Sequence, residues 1–130
     1  MKKYGVCNIE EFKNFIFNSH IHDSRVKTIP NEKSIVLKIH NEHFGIEYEF
    51  IFSEIEAILF LKADTHRPSD TVYAFSLEED FSLLPNCIPI QKERSKDLLY
   101  ILIEMLSGDT FHIVSKTIFV SVSSSIGVEI

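Results

Sequence analysis

The first element that the hydrophobic pattern predicts is an amphipathic helix over residues 9–19. Asn8 is placed to act as its N-cap, and Glu11, three residues later, completes the pattern of a capping box. Its apolar side consists of five residues at helical spacing: Ile9, Phe12, Phe15, Ile16 and Phe17. This stripe predicts that the helix packs on a flat apolar surface.

Most of the remaining chain alternates between apolar and polar residues, as strands with one buried face do. The predicted strands are 24–29, 34–40, 44–52, 55–61, 72–77, 98–106, 110–114 and 118–122. Between the third and fourth of these, Ser53 and Glu54 form a weak break. After this break the inward row is predicted to be Ile55, Ala57, Leu59 and Leu61.

Segment 98–106 also fits a helix, because its leucines fall on one helical stripe. A strand is favoured, since Ser107-Gly108-Asp109 has the composition of a hairpin turn and leads directly into the next strand. The other predicted connections are a turn at 30–33, a turn at 41–43, a loop at 63–70, an acidic turn at 78–80 and a serine-rich tail at 121–125.

These elements predict an α+β fold that is mostly β. The sheet is expected to be curved and antiparallel, or a partial barrel, with about seven or eight strands and the N-terminal helix packed on it. The chain has 130 residues, which predicts a single domain over 1–130.

Composition narrows the functional classes. The formal net charge is −6, with no basic stripe of the kind that nucleic-acid binding needs. Only four Gly are present, and neither a phosphate-binding glycine loop nor a nucleophile motif occurs. We therefore predict no nucleic-acid partner, no catalytic residues and no cofactor.

The cellular compartment is predicted from the cysteines, the N-terminal residues and the lengths of the apolar runs. Cys7 and Cys87 form no disulfide pattern. The N-terminus has no apolar signal segment, and the longest apolar run, 98–103, is too short to cross a bilayer. These features predict a cytoplasmic protein without membrane contact.

A metal site is one candidate chemistry. His20, His22 and Asp23 stand close together, and His40 or His43 could add a third imidazole. Imidazole and carboxylate are common ligands of zinc and related metals. The alternative is that His22 and Asp23 simply form the turn between the helix and the first strand.

A carboxylate-rich surface is the other candidate. Residues 42–56 contain five Glu and no Lys or Arg. Neighbouring strands would gather these side chains into one acidic patch, which a basic protein could bind. The predicted partner-binding residues are Glu47, Glu49, Glu54, Glu56, Glu78, Glu79 and Asp80.

The run Ile21-His22-Asp23-Ser24-Arg25-Val26, followed by the alternating strand at 35–39, resembles a pattern in small bacterial β-rich proteins. Some of these are similar to immunity proteins of polymorphic toxin systems. Segment 102–122, with its Ser-Gly-Asp turn, resembles their closing hairpin. The resemblance implies a mostly-β cytoplasmic domain and no particular activity.

Three hypotheses follow. The leading one is a non-enzymatic protein-binding module, of the kind that neutralises a basic toxin. The second is a small metal-binding domain or metal-dependent hydrolase that uses the histidine cluster. The third is a self-associating structural domain, such as a homodimer joined through its aromatic-rich strands.

Overall fold

A computed structural model describes residues 1–30, 35–63, 69–85 and 90–124. Its helices are α1 (Ile9–Phe17) and α2 (Lys92–Ser95), with 3-10 turns at Val6–Asn8 and Phe81–Leu83. Its strands are β1 (Lys2–Tyr4), β2 (Arg25–Thr28), β3 (Val36–Asn41), β4 (Ile46–Leu61), β5 (Val72–Glu78), β6 (Leu99–Met105) and β7 (Thr110–Ser124). The predicted turn at 30–33 and loop at 63–70 lie partly outside the described residues, and Cys87 lies wholly outside them. Residues 121–124 of the predicted tail instead end β7, which runs without a break through the two strands predicted at 110–114 and 118–122.

The seven described strands form one antiparallel sheet in the order β2-β3-β4-β7-β6-β5. β4 pairs with β7 along almost the full length of both strands. On its other edge β7 pairs with β6 over its first half and with β1 further along. The sheet curls into a half-barrel with the N-terminal helix packed on it, which confirms the predicted mostly-β fold.

The sheet curls far enough for its two edge strands to meet at one point. Arg25 of β2 and Thr71, just before β5, form an antiparallel bridge. The Val26 N–H donates to the Asp70 carbonyl oxygen at 2.8 Å, and the Val72 N–H donates to the Ser24 carbonyl oxygen at 2.8 Å. We call this contact between the edges the seam.

β4 is one strand and not the two that the sequence predicts. At the predicted break Glu54 adopts a positive φ of 55°, and directly after it the pairing with β7 shifts by one residue, in a bulge between Ile55 and Ala57. The predicted inward row is therefore right for Ile55 and wrong for Ala57. Ile55 and Ile58 pack on the main core, whereas Ala57 packs on the opposite face.

The main core fills the concave side of the sheet. Its largest fully buried side chains come from α1 and from most strands: Phe12, Ile21, Leu37, Ile39, Phe50, Phe52, Leu99, Ile101, Ile103, Ile113 and Ile118. Phe12 anchors the helix, since its ring stacks on Tyr4 of β1 with centroids 4.5 Å apart. Phe17, predicted to lie on the apolar side, is 86% exposed, so this part of the prediction is wrong.

The start of α1 differs from the predicted capping box. Asn8 is the N-cap residue, but its side chain makes no bond to the helix. Its Oδ1 accepts from the Gly5 N–H at 2.7 Å, and its Nδ2 donates to the Lys3 carbonyl oxygen at 3.0 Å. Asn8 thus stabilises the turn that joins α1 to β1, a short strand that the sequence did not predict.

Segment 98–106 forms β6, which confirms the strand over the helix. The predicted hairpin turn follows it, and the Gly108 N–H donates to the Met105 carbonyl oxygen at 2.9 Å. Gly108 has a positive φ of 91°, which a residue without Cβ adopts without strain. A Cβ at this position would lie 3.1 Å from Cβ of Ala63.

A second apolar cluster covers the convex side of the sheet. Tyr100 and Val114 point away from the main core, because side chains alternate along a strand. They are covered by Leu84, Leu98, Phe81 and Ile90. Both faces of the sheet are therefore buried in this region, which explains why β6 is apolar at nearly every position.

A buried chain of polar side chains borders the second cluster. The Tyr100 hydroxyl lies 2.6 Å from Nδ1 of His112, and Nε2 of His112 lies 3.1 Å from the Thr110 hydroxyl. Neutral imidazole suits this chain, since Nδ1 can accept from Tyr100 while Nε2–H donates to Thr110. Burial lowers the pKa of His112 and raises the pKa of Tyr100 to about 12.

The lowered pKa of His112 predicts a pH dependence of stability. The folded protein holds this imidazole neutral, whereas the unfolded chain protonates it near its ordinary pKa of 6.5. The free energy of unfolding should therefore fall as the pH is lowered below that value. In His112→Gln this part of the dependence should vanish, as measured by urea unfolding between pH 7.5 and pH 5. Parallel stability curves for the two proteins would contradict the assignment.

Candidate functional site

A cavity of about 670 Å³ lies at the seam. We call it the seam cavity. Its lining comes from the turn after α1, the start of β2, the turn between β3 and β4, and the residue before β5. The lining residues are Ser19, His20, His22, Asp23, Arg25, Asn41, Glu42, His43, Phe44 and Thr71.

Asn41 holds together the segments that line this cavity. It is only 5% exposed at the end of β3. Its Nδ2 donates to the His20 carbonyl oxygen at 2.7 Å and to the Ser24 hydroxyl at 3.1 Å. Its Oδ1 accepts from the Phe44 N–H at 2.9 Å. One buried amide therefore ties the turn after α1 to the turn between β3 and β4.

The turn after α1 is fixed at further points. The His20 N–H donates to the Tyr48 hydroxyl at 2.8 Å, and the buried Ser24 hydroxyl donates to the His20 carbonyl oxygen. The Asp23 N–H donates to the Val72 carbonyl oxygen at 2.9 Å. Asp23 has a positive φ of 65°, a conformation that Asp tolerates better than most residues. These bonds present the Asp23 carboxylate on a rigid turn.

Arg25 joins two carboxylates across the seam. Its guanidinium donates to both carboxylate oxygens of Asp70 at 3.0–3.2 Å. A third nitrogen, Nη1, donates to Glu42 at 3.1 Å. Hydrogen bonding to Arg25 lowers the pKa of Asp70. Since all three side chains are about half exposed, we assign this group a role in positioning the site and little net stability.

Aromatic rings form another part of the cavity. The His20 ring stacks on Phe44 with centroids 3.9 Å apart, and His43 meets the same ring edge-on at 4.7 Å. Nδ1 of His22 lies 2.5 Å from the Tyr73 carbonyl oxygen. Phe44 and Tyr73 are each more than half exposed. The cavity therefore combines charged groups with exposed aromatic surface.

The predicted metal ligands are brought together only in part. His20, His22, Asp23 and His43 all line the seam cavity, while His40 lies on β3 opposite Glu47. Among the described residues, no group of three or more His, Cys, Asp or Glu has a geometry that could hold a metal ion. The metal hypothesis stays a prediction. A rise in unfolding temperature on adding Zn²⁺ would support it, and an unchanged temperature would contradict it.

The predicted partner-binding carboxylates occupy three places. Glu47 and Glu49 lie on the convex side of β4, Glu54 and Glu56 lie at its bulge, and Glu78 ends β5, with Glu79 and Asp80 directly after it. Several are neutralised within the chain, by these ion pairs: Glu49 with Lys38, Glu54 with Lys116, Glu56 with Arg94, and Glu79 with Lys13. Asp80 instead accepts from the Ser82 N–H and hydroxyl.

Glu47 differs from these carboxylates because it continues the seam cavity. Cross-strand register places Arg25 opposite His40, and His40 opposite Glu47, so the three share one row. Two strand spacings, about 10 Å, separate Arg25 from Glu47. In the part of the chain that the structure describes, no ion pair of Glu47 is seen. The seam cavity and Glu47 thus lie on one stretch of surface.

Several lining residues were not predicted from the sequence: Ser19, Arg25, Asn41, Glu42, Phe44 and Thr71. The run from His20 to Asp23 did mark one wall of the cavity. A signal for Asn41 exists as well, since a polar residue occupies a position where the alternation of β3 requires a buried one. Nothing in the sequence pairs Arg25 with Asp70, because the seam joins strands distant in the chain.

Comparison with protein-family models, with curated proteins and with solved structures finds no match for this chain. Within the described residues, no helix has the length and apolar character needed to cross a membrane.

Proposed function

We propose that this protein is a non-enzymatic binding module for a basic protein partner, and that the partner binds at the seam cavity and along the row to Glu47. The observation that carries the proposal is the charge of the cavity. Asp23 and Glu42 line the cavity, and Asp70 lies beside it in an ion pair with Arg25, so this group has three carboxylates and the one guanidinium of Arg25. With the histidines neutral, this gives a formal charge of −2, which favours association with a basic surface.

The shape of the site also supports a protein partner. The exposed ring of Phe44 lines the cavity, and the exposed ring of Tyr73 lies next to His22, with 6.1 Å between the two ring centroids. Exposed aromatic side chains beside charged groups are frequent in protein interfaces. The resemblance of residues 21–26 to small bacterial proteins favours one version of this proposal. In that version the protein is an immunity-type protein that acts in the cytoplasm against a basic toxin.

The test begins with affinity capture from the native cell extract at low salt, followed by purification of the captured protein. Binding of that protein is then measured by calorimetry with three double variants, each of which removes two negative charges. These are Asp23→Asn with Glu42→Gln in the cavity, Glu47→Gln with Glu49→Gln on β4, and Glu54→Gln with Glu56→Gln at the bulge.

We expect the cavity pair to weaken binding most, by about 10- to 100-fold for two lost charge contacts. The β4 pair should have a smaller effect. The bulge pair serves as the matched control, because it removes the same number of charges at a place away from the seam cavity. If all three pairs lose the same amount of affinity, only the net charge of the protein matters for binding, which would contradict a defined site.

The immunity-type role has its own measurement. The captured protein should arrest growth when it is expressed alone and should not do so when it is co-expressed with this chain. The cavity pair should fail to protect, while the bulge pair should protect. A partner that is harmless by itself would contradict the immunity role and leave the binding module intact.

The self-association hypothesis stays a prediction beside this proposal. Phe17 is 86% exposed and Leu106 is 57% exposed, so apolar surface is present outside the seam cavity. A sedimentation coefficient that rises with protein concentration would support a homodimer. A monomer at all concentrations would contradict it.

A further inference from the structure

We infer that the seam cavity receives an arginine side chain of the partner protein, which forms an ion pair with Asp23 and Glu42 and stacks on Phe44. This inference rests on the proposed function, and it names the chemical group that the site recognises.

The Asp23 carboxylate supplies the ion pair. Its side chain is 72% exposed, and the ionisable group nearest to it is Nε2 of His22 at 3.5 Å. The backbone bond from Asp23 to Val72 holds the residue in place while the carboxylate faces the cavity. Because the backbone at Asp23 is already fixed, little backbone conformational entropy is lost there on binding.

The Phe44 ring supplies the stacking surface. The His20 ring stacks on one face of Phe44 and His43 packs against it at a steep angle, but the residue is still 55% exposed, so an arriving guanidinium stacks on the part of the ring that these histidines leave open. A guanidinium is planar and weakly hydrated, so it stacks on an aromatic face while its N–H groups reach a carboxylate. A lysine ammonium has no plane to stack, so the combination of a flat ring and a nearby carboxylate favours arginine.

Glu42, one of the two proposed carboxylates, already accepts a guanidinium, that of the chain's own Arg25. Asp70 receives it with both carboxylate oxygens, and Glu42 receives its remaining terminal nitrogen. Glu42 accepts from Arg25 through Oε1, and its second oxygen, Oε2, receives no bond from Arg25. An arriving arginine can therefore share Glu42 with Arg25 and bind Asp23 without opening the seam.

The probe that tests this inference is N-acetyl-arginine amide, titrated into ¹⁵N-labelled protein and followed by NMR. N-acetyl-citrulline amide is the matched control ligand, because its side chain has the same planar shape and no charge. We expect shifts at Asp23, Glu42, Phe44 and Thr71, and binding about tenfold tighter for the arginine compound, which corresponds to one charge-assisted contact.

Two pairs of variants complete the test. Asp23→Asn should weaken binding of the arginine compound several-fold, and Asn keeps the positive φ that this position requires. Glu54→Gln should leave binding unchanged. Phe44→Leu should weaken binding, whereas Phe17→Leu, which changes an exposed ring elsewhere, should not. Retained spectral dispersion shows that each variant is folded.

Equal binding of the citrulline compound, or shifts centred on another surface, would overturn the inference. Its failure is distinguishable from failure of the proposed function. If the captured partner still loses affinity with the Asp23 and Glu42 pair, the binding module stands and only the arginine is wrong. If the Asp23 and Glu42 double variant binds both the probe and the captured partner as tightly as the unchanged protein, the proposed function and this inference are both wrong.

Discussion

Replacing Phe12 with Ala is expected to lower the free energy of unfolding by about 3–5 kcal/mol, the usual cost of truncating a fully buried Phe. Phe12 is 0% exposed and stacks on Tyr4, so its removal leaves a cavity between α1 and the sheet. The helix has few other anchors, because Ile9, Phe15 and Ile16 are only partly buried. Urea unfolding followed by circular dichroism measures the change.

Phe17→Ala is the matched control on the same helix. Phe17 is 86% exposed, so the same substitution there should change stability by no more than about 0.5 kcal/mol. Both variants lose the same atoms from α1 and differ only in burial. Similar losses for both would show that helix propensity, and not packing on the sheet, governs the stability of α1.

Replacing Asn41 with Ala is expected to lower the free energy of unfolding by about 2 kcal/mol, since a buried backbone group that loses its partner costs about 1–3 kcal/mol. The Phe44 N–H loses its acceptor, and the His20 carbonyl oxygen loses a donor. The same change should weaken binding of N-acetyl-arginine amide, because Asn41 positions both Phe44 and the turn that carries Asp23. Thermal unfolding and the NMR titration measure the two effects.

Asn14→Ala provides the comparison, because Asn14 is exposed on α1. This variant should change the free energy of unfolding by no more than about 0.5 kcal/mol. It should bind N-acetyl-arginine amide as the unchanged protein does. Asn41→Asp separates the two halves of the amide, since it keeps an acceptor for Phe44 and loses the donor to His20 and Ser24. An Asn41→Ala protein as stable as Asn14→Ala would show that water replaces the amide.

The two largest effects differ in how far the sequence predicts them. Phe12 stands on a stripe of helical period, and such a stripe in a chain of alternating strands requires a sheet to cover. Asn41 is different, because its polarity contradicts its position in the strand. Its role depends on the position of the turn after α1, because the Asn41 side chain bonds to the His20 carbonyl oxygen, 21 residues earlier in the chain.

The sequence by itself determined the mostly-β class, the position of α1 and nearly all of the strands, because these depend on local periodicity. It also marked His20, His22 and Asp23 as a polar cluster at one turn. Tertiary structure decided the rest. The bulge between Ile55 and Ala57, the ion pairs of the glutamates, and the seam that joins Arg25 to Asp70 all depend on residues distant in the chain. Pairing across a curled sheet brings such residues together, and periodicity along a single strand carries no information about which strand lies beside it.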